Sequence, residues 1–191
     1  MKKLLFILIV FAGLAVQAQE KFELGLSVKT GYYFPENVLG NPAWPENTFS
    51  PGVGAFINYN LLKNTKLYLG VEVSYLNPKM NDFFNDPLNV LWHTINIPLS
   101  AKQNFGDNFF VSGGVTTMFQ FCKIIDKQQI PEFNWDVGIG WDFERFSLAL
   151  LYNRGVKIID KYIKQGNNGY HDVDIRHQEI LIKFEYSLWS F

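Results

Sequence analysis

The chain holds one cysteine, Cys122, in 191 residues, so no intrachain disulfide can staple it. Charge of one sign is missing as well: 17 Lys and Arg stand against 18 Asp and Glu, for a formal net charge of −1. That balance supplies neither the basic face that nucleic acid requires nor a field that selects acidic or basic partners. Metal spacing is absent. His93, His171 and His177 keep no HxxxH relation, and Cys122 has no CxxC partner. Nor is there a glycine-rich phosphate loop, because Gly52-x-Gly54 and Gly138-x-Gly140 fall inside alternating runs and open no helix. The expectation is therefore no cofactor, no metal and no nucleic-acid partner.

Aromatic bulk is what the chain has in quantity. Its 18 Phe, 9 Tyr and 5 Trp bring the aromatic share to 17%, against 18% charged residues, a composition that excludes disorder. At the N-terminus, Lys2 and Lys3 precede an apolar run of 13 residues, Leu4 to Val16, followed by Val16-Gln17-Ala18. This pattern predicts a signal peptide over residues 1–18, cleaved after Ala18, and a mature domain over 19–191. Thirteen apolar residues fall short of the ~17–25 that cross a bilayer as a helix. Cys122 lies far from the cleavage site, so no lipid-modified N-terminal cysteine is expected.

The mature chain reads in steps of two. Phe22, Leu24, Leu26, Val28, Thr30 and Tyr32 alternate with Glu23, Gly25, Ser27, Lys29 and Gly31. The alternation returns at Val53–Tyr59, Leu67–Tyr75, Ile95–Ala101, Val111–Phe119, Val137–Phe143, Phe146–Tyr152 and Ile180–Leu188, which makes eight strands. Short links at Lys63-Asn64-Thr65, Gly106-Asp107-Asn108 and Glu144-Arg145 alternate with long ones, roughly 34–50, 77–90, 122–133 and 155–174. Strict alternation gathers the short turns at one end of an up-and-down barrel and the long loops at the other. Outer-membrane barrels show this asymmetry, with short periplasmic turns and longer extracellular loops.

Binary pattern alone does not say which face is outside, since a soluble ligand-carrying barrel shares it. The chemistry of the faces decides. The apolar register carries no Asp, Glu, Lys or Arg, whereas the other is rich in Gly and Ser, which suit a crowded interior better than a solvated exterior. The predicted fold class is all-β, an eight-stranded antiparallel up-and-down transmembrane β-barrel in the Gram-negative outer membrane. The inward register places Glu23, Lys29, Glu72, Lys102, Asp136, Asp142, Lys183 and Glu185 in the lumen, beside Phe56, Tyr68, Trp92 and Met118. Mixed signs in a confined space predict a paired, structural network. The expected partners are Glu23 with Lys183 and Glu72 with Lys102.

Ile95-Asn96-Ile97-Pro98-Leu99-Ser100-Ala101-Lys102, followed by a short turn and Phe110-Val111-Ser112-Gly113-Gly114, resembles the x-I-P-L-x-x-K … G-G segment of the PorT-like, porin-family outer-membrane β-barrel domain. Asp136 to Gly140 and Leu148 to Gly155 are similar to its later strands, so the resemblance spans about residues 20–191. It implies an eight-stranded outer-membrane barrel whose relatives mostly lack a defined activity, one branch serving a secretion system. The terminal Phe191 is the aromatic end that the barrel-assembly machinery reads in such proteins. Two irregularities stand out. Ser187 and Glu185 share the phase of Trp189 and Phe191, which predicts a bulge near Leu188 or weaker recognition by that machinery. Pro98 cannot donate a ladder hydrogen bond, which predicts a second bulge.

The functional expectation is a non-enzymatic barrel with a structural, adhesion or secretion and assembly role through its long loops. Its partners are outer-membrane lipid and lipopolysaccharide, the assembly machinery, and an extracellular or envelope protein. A small-solute channel is the second reading. A lipid-modifying hydrolase is the third, resting on His93 in the lipid-facing register alone, with no serine or acid placed to orient it. His171, Asp172, Asp174 and His177 cluster near the fourth long loop, where a solvated loop is the simplest reading.

Overall fold

The computed structural model describes residues 22–37, 47–77, 79–81, 87–89, 92–122, 131–156, 159–164 and 170–190. The expected signal peptide and Phe191 lie outside them, and so do the side chains of Trp92, Cys122 and His171. Eight long strands form the barrel: β1 (Phe22–Tyr33), β2 (Gly52–Leu62), β3 (Thr65–Leu76), β4 (Trp92–Phe105), β5 (Phe109–Cys122), β6 (Glu132–Asp142), β7 (Phe146–Gly155) and β8 (Gln178–Ser190). Each pairs antiparallel with its neighbours in sequence, and β8 closes on β1. Strands of 10 to 14 residues match or exceed the ~9–11 that a tilted strand needs to cross a bilayer.

Burial is inverted relative to a soluble barrel. Val71 is 54% exposed and Leu99 51%, while Glu72 and Lys102 are each 4% exposed. The exterior is layered as well. Val28, Val53, Val71, Leu99, Val115, Ile139, Leu150 and Ile182 make an aliphatic belt. At the short-turn end it is bordered by the ring contacts Phe22–Tyr59, Phe109–Trp141 and Phe143–Phe146–Phe184. At the long-loop end the border is Phe49–Tyr32–Phe34–Tyr152–Trp135. An apolar band between two aromatic girdles is the surface a bilayer selects.

Glycine makes the interior narrow enough to fill. A Cβ on Gly25 would strike the ring of Phe56, and one on Gly140 the ring of Phe110; each ring lies over the glycine it faces across the ladder. Gly106, at φ 66, turns the β4–β5 hairpin through a conformation that other residues rarely adopt.

Three details depart from or refine the sequence reading. The β1–β8 ladder pairs Leu24 with Trp189 and Gly25 with Ser187, so Leu188 is the extra residue of a bulge where the alternation slips. Pro98, by contrast, marks no bulge. The β3–β4 register is the same on both sides of it, and pairing simply lapses opposite Gly70 and Val71, while Pro98 stays in step with Thr116 on β5. One lost donor interrupts a ladder without needing an inserted residue. Third, the fourth long link is not a plain loop. Ile159–Lys164 and Tyr170–Arg176 pair as a hairpin, and Glu36–Asn37 adds a third strand to it.

Candidate functional site

The inner wall of the barrel is where the chain concentrates its charge. At the waist, Lys29 Nζ meets Glu72 Oε2 at 2.7 Å and Lys183 Nζ meets Glu72 Oε1 at 2.7 Å. Lys183 also reaches Glu185 Oε1 at 3.1 Å, and Lys102 pairs with Glu185 Oε2. The result is an unbranched chain, Lys29–Glu72–Lys183–Glu185–Lys102, that spans the lumen from wall to wall. Neutral groups complete it. Ser147 Oγ donates to Glu185 at 2.9 Å, and Tyr68 takes a hydrogen bond from Lys183 at 2.6 Å and donates to Glu72 at 3.3 Å. Lys183 stands 4.0 Å from the centre of the Tyr68 ring and Lys102 4.7 Å from that of Phe110, where the ring faces add attraction to the ammonium groups.

Asp136 accepts from Thr116 Oγ1 at 3.2 Å, outward of the waist. Toward the short turns a second cluster is half-exposed: Lys66 pairs with Glu23 at 3.0 Å and approaches Asp142 at 3.7 Å, while Asn58 and Asn104 donate to those two carboxylates. The partners expected for Glu23 and Glu72 are corrected here. Glu23 lies opposite Ser190, whereas Lys183 lies opposite Lys29, six residues farther along β1, so Glu23 turns to Lys66 instead. Glu72 turns to Lys29 and Lys183 and leaves Lys102 to Glu185. Strand tilt brings to one level residues that are offset along each pair of neighbouring strands, and a sequence read strand by strand does not reveal that offset.

Nearer the long loops the lumen is lined differently. A cavity of about 50 Å³ runs along Lys29, Glu72, Asp136, Asn153, His177 and Glu179. His177 is not on a solvated loop. It is buried, with Nε2 3.4 Å from Glu179 Oε2 and its ring 5.0 Å from that of Tyr33. The Ser112 Oγ, Asn134 Oδ1, Asn153 Oδ1 and His177 Nδ1 atoms have no hydrogen-bond partner among the described residues. The apolar share of the lumen also exceeds the expected one, since Tyr33, Leu76, Phe110 and Leu181 are buried in it beside Phe56, Tyr68 and Met118. Their inward phase is legible, but nothing in composition distinguishes them from the lipid-facing set.

His93 faces outward at the long-loop end, edge-on to Tyr75 at 5.1 Å and paired across the ladder with Phe121. Its described cross-strand neighbours are thus aromatic, with neither a nucleophile nor an orienting acid. At the outer rim, Glu36 Oε2 accepts from Arg154 at 2.9 Å, Arg176 at 3.0 Å and Gln178 at 2.8 Å. Sequence reading misses this cluster because its members lie up to 142 residues apart.

An inverted, lipid-compatible exterior around a closed eight-stranded sheet leaves one architecture. The fold is that of the outer-membrane β-barrel. Among solved structures, the chain is similar to Neisserial surface protein A, with 10% identity and a TM-score of 0.53 over 86% of this chain and 97% of that one. It is similar to the outer membrane protein OprG from Pseudomonas aeruginosa, at 10% identity and TM-score 0.55, over 90% and 98% of the two chains. The outer membrane protein AlkL, solved in lipid bilayers, gives 14% identity and TM-score 0.53 over 91% and 92%. These likenesses are of fold. No protein-family model matches the chain, and no curated protein sequence matches it.

Proposed function

We propose that this protein is a non-enzymatic integral outer-membrane barrel of the PorT-like kind, a scaffold that holds its long loops at the cell surface for adhesion or for secretion and assembly. The observation that carries this reading is the ion-pair chain across the waist. Eight strands leave an interior about wide enough for side chains alone, against the roughly 16–18 strands of aqueous porins. Here that width is occupied by Lys29, Glu72, Lys183, Glu185 and Lys102 with Tyr68 and Phe110 packed against them. Lys102, the lysine of the segment that resembles the PorT-like domain, is one end of that chain.

Reconstitution in planar bilayers tests the plugged lumen, with negligible conductance expected for the wild type. Steady, ion-selective single-channel currents would overturn it and promote the small-solute channel, which the cavity beside His177 otherwise favours only weakly. The surface role needs the long loops outside. In a Cys122→Ser background, Asn47→Cys should label with an impermeant reagent on intact cells and Asp107→Cys should not. Equal labelling at both positions would reject this orientation.

A further inference from the structure

The rim cluster around Glu36 lies on the outer wall of the barrel, not in the lumen. Tyr32, Phe34 and Glu36 follow one another at every second residue, as do Tyr152 and Arg154 on β7, and Ile180 and Gln178 on β8. Arg154 also pairs across the ladder with the outward-facing Trp135. The charged groups therefore continue the face that carries the Phe49–Tyr32–Phe34–Tyr152–Trp135 girdle. Two residues of strand place Arg154 about 6–7 Å beyond Tyr152. Aromatic girdles mark the membrane–water interface, so this step carries the guanidinium from the acyl boundary to the level of lipid phosphates.

Two of the chain's three arginines meet here, and among the described residues Glu36 is the carboxylate between them. Glu36 uses a single oxygen for its three bonds among the described residues, taking one terminal nitrogen from each guanidinium. Each guanidinium carries five N–H donors in a planar fork, and the bonds to Glu36 engage one terminal nitrogen of each. Paired guanidinium groups with donors to spare suit a phosphate, which offers several oxygens in the geometry that guanidinium recognises best.

We propose that Arg154, Arg176 and Gln178 form a binding site for the phosphate of an outer-leaflet lipid of the lipid A type, with Glu36 as its internal occupant. The carboxylate holds two like charges side by side in the absence of lipid and gives way to the phosphate when a lipid packs its acyl chains on the belt below. This site rests on the bilayer-embedded orientation proposed above.

The test measures lipid retention by purified, detergent-solubilised protein, using diphosphorylated lipid A, enzymatically dephosphorylated lipid A and inorganic phosphate. The wild type should retain the diphosphorylated form about tenfold better than the dephosphorylated one, a ratio expected from one charge-assisted contact. Arg154→Gln with Arg176→Gln should abolish that preference. Glu36→Gln should strengthen retention, an outcome that a merely structural latch would not give. A mobility shift on unboiled gels and co-flotation with vesicles report folding and insertion separately, so loss of those signals in the wild type counts against the membrane reading, not this site. A folded double variant that keeps the preference, or a Glu36→Gln variant with weakened retention, would overturn the proposal. Displacement of lipid A by equimolar inorganic phosphate would reassign the site to a free anion and overturn it too.

Discussion

At the waist of the lumen Lys183 reaches Glu72 and Glu185 at 2.7 and 3.1 Å. Four residues along the same strand, opposite Glu179, Asn153 turns an oxygen with no described partner toward a cavity that Ser112 and His177 also line. Both regions are buried and both are polar, yet the waist ions meet in pairs, whereas the outer half adds unpaired amide, hydroxyl and imidazole atoms around a cavity that Lys29, Glu72 and Lys183 border on the waist side. The difference follows from desolvation. An unpaired ion in a confined interior costs several kcal/mol, so the waist charges are held in pairs. An unpaired amide or hydroxyl costs less, and a cavity of about 50 Å³ has room for a few water molecules to satisfy it. The waist is thus the part that holds the barrel shut, and the outer half the part that tolerates change.

Removing the central carboxylate should break the comparison most severely. Glu72→Gln strips Lys29 of the ion pair described for it and leaves Lys29 and Lys183 facing each other as ladder partners. We expect a loss of about 3–5 kcal/mol in urea unfolding from lipid vesicles, followed by tryptophan fluorescence. A midpoint unchanged from the wild type would mean that the waist is hydrated and its pairs contribute little. Lys102→Met should cost less, about 1–3 kcal/mol, because Glu185 keeps Lys183 and the Ser147 hydroxyl when Lys102 is gone. If Lys102→Met proves as damaging as Glu72→Gln, the chain of pairs acts as one unit and not link by link.

How far these contrasts are legible in the sequence differs by level. The eight strands, the turn ends and the inward phase of Lys29, Glu72 and Lys183 follow from the two-residue alternation, which needs no knowledge of neighbours. The partners do not follow, because the stagger of a tilted sheet decides that Lys183 shares a level with Lys29 and Glu23 does not. The hairpin of the fourth link does carry a signal: two alternating runs, Ile159–Lys164 and Tyr170–Arg176, flank Gly166-Asn167-Asn168-Gly169. The Glu36 cluster carries none, since it joins four elements from three stretches of sequence, around 36, 154 and 176–178.

That cluster supplies a smaller, pH-dependent effect. Although partial burial works to raise its pKa, the hydrogen bond and charge of Arg154, the charge of Arg176 and the bond from Gln178 together hold the Glu36 carboxyl below its usual range. A depressed folded pKa means that the clamp contributes fully above the unfolded value of roughly 4.3 and is lost as pH falls through the folded value. Protection of the Glu36–Asn37 pairing to Arg176 in hydrogen exchange should therefore persist at pH 6 and fail only in acid below the ordinary carboxylate range. Glu36→Gln should abolish that acid transition. A transition that survives the substitution would assign it to another carboxylate.

The smallest effect is expected where polar atoms are already unpaired. Asn153→Leu keeps roughly the same side-chain shape and removes an oxygen that has no described partner, so the cost should stay within about 1 kcal/mol of zero. The same urea titration used for Glu72→Gln reads it directly, and the two variants lie on opposite sides of the comparison. If the outer half is a tolerant, hydrated space, the isobutyl group enters it without displacing a hydrogen bond and the midpoint barely moves. A loss comparable to that of Glu72→Gln would show that Asn153 is tied into a bonded network through the cavity. The outer half would then be a second structural plug, and the waist would no longer be the single place where the lumen is held shut.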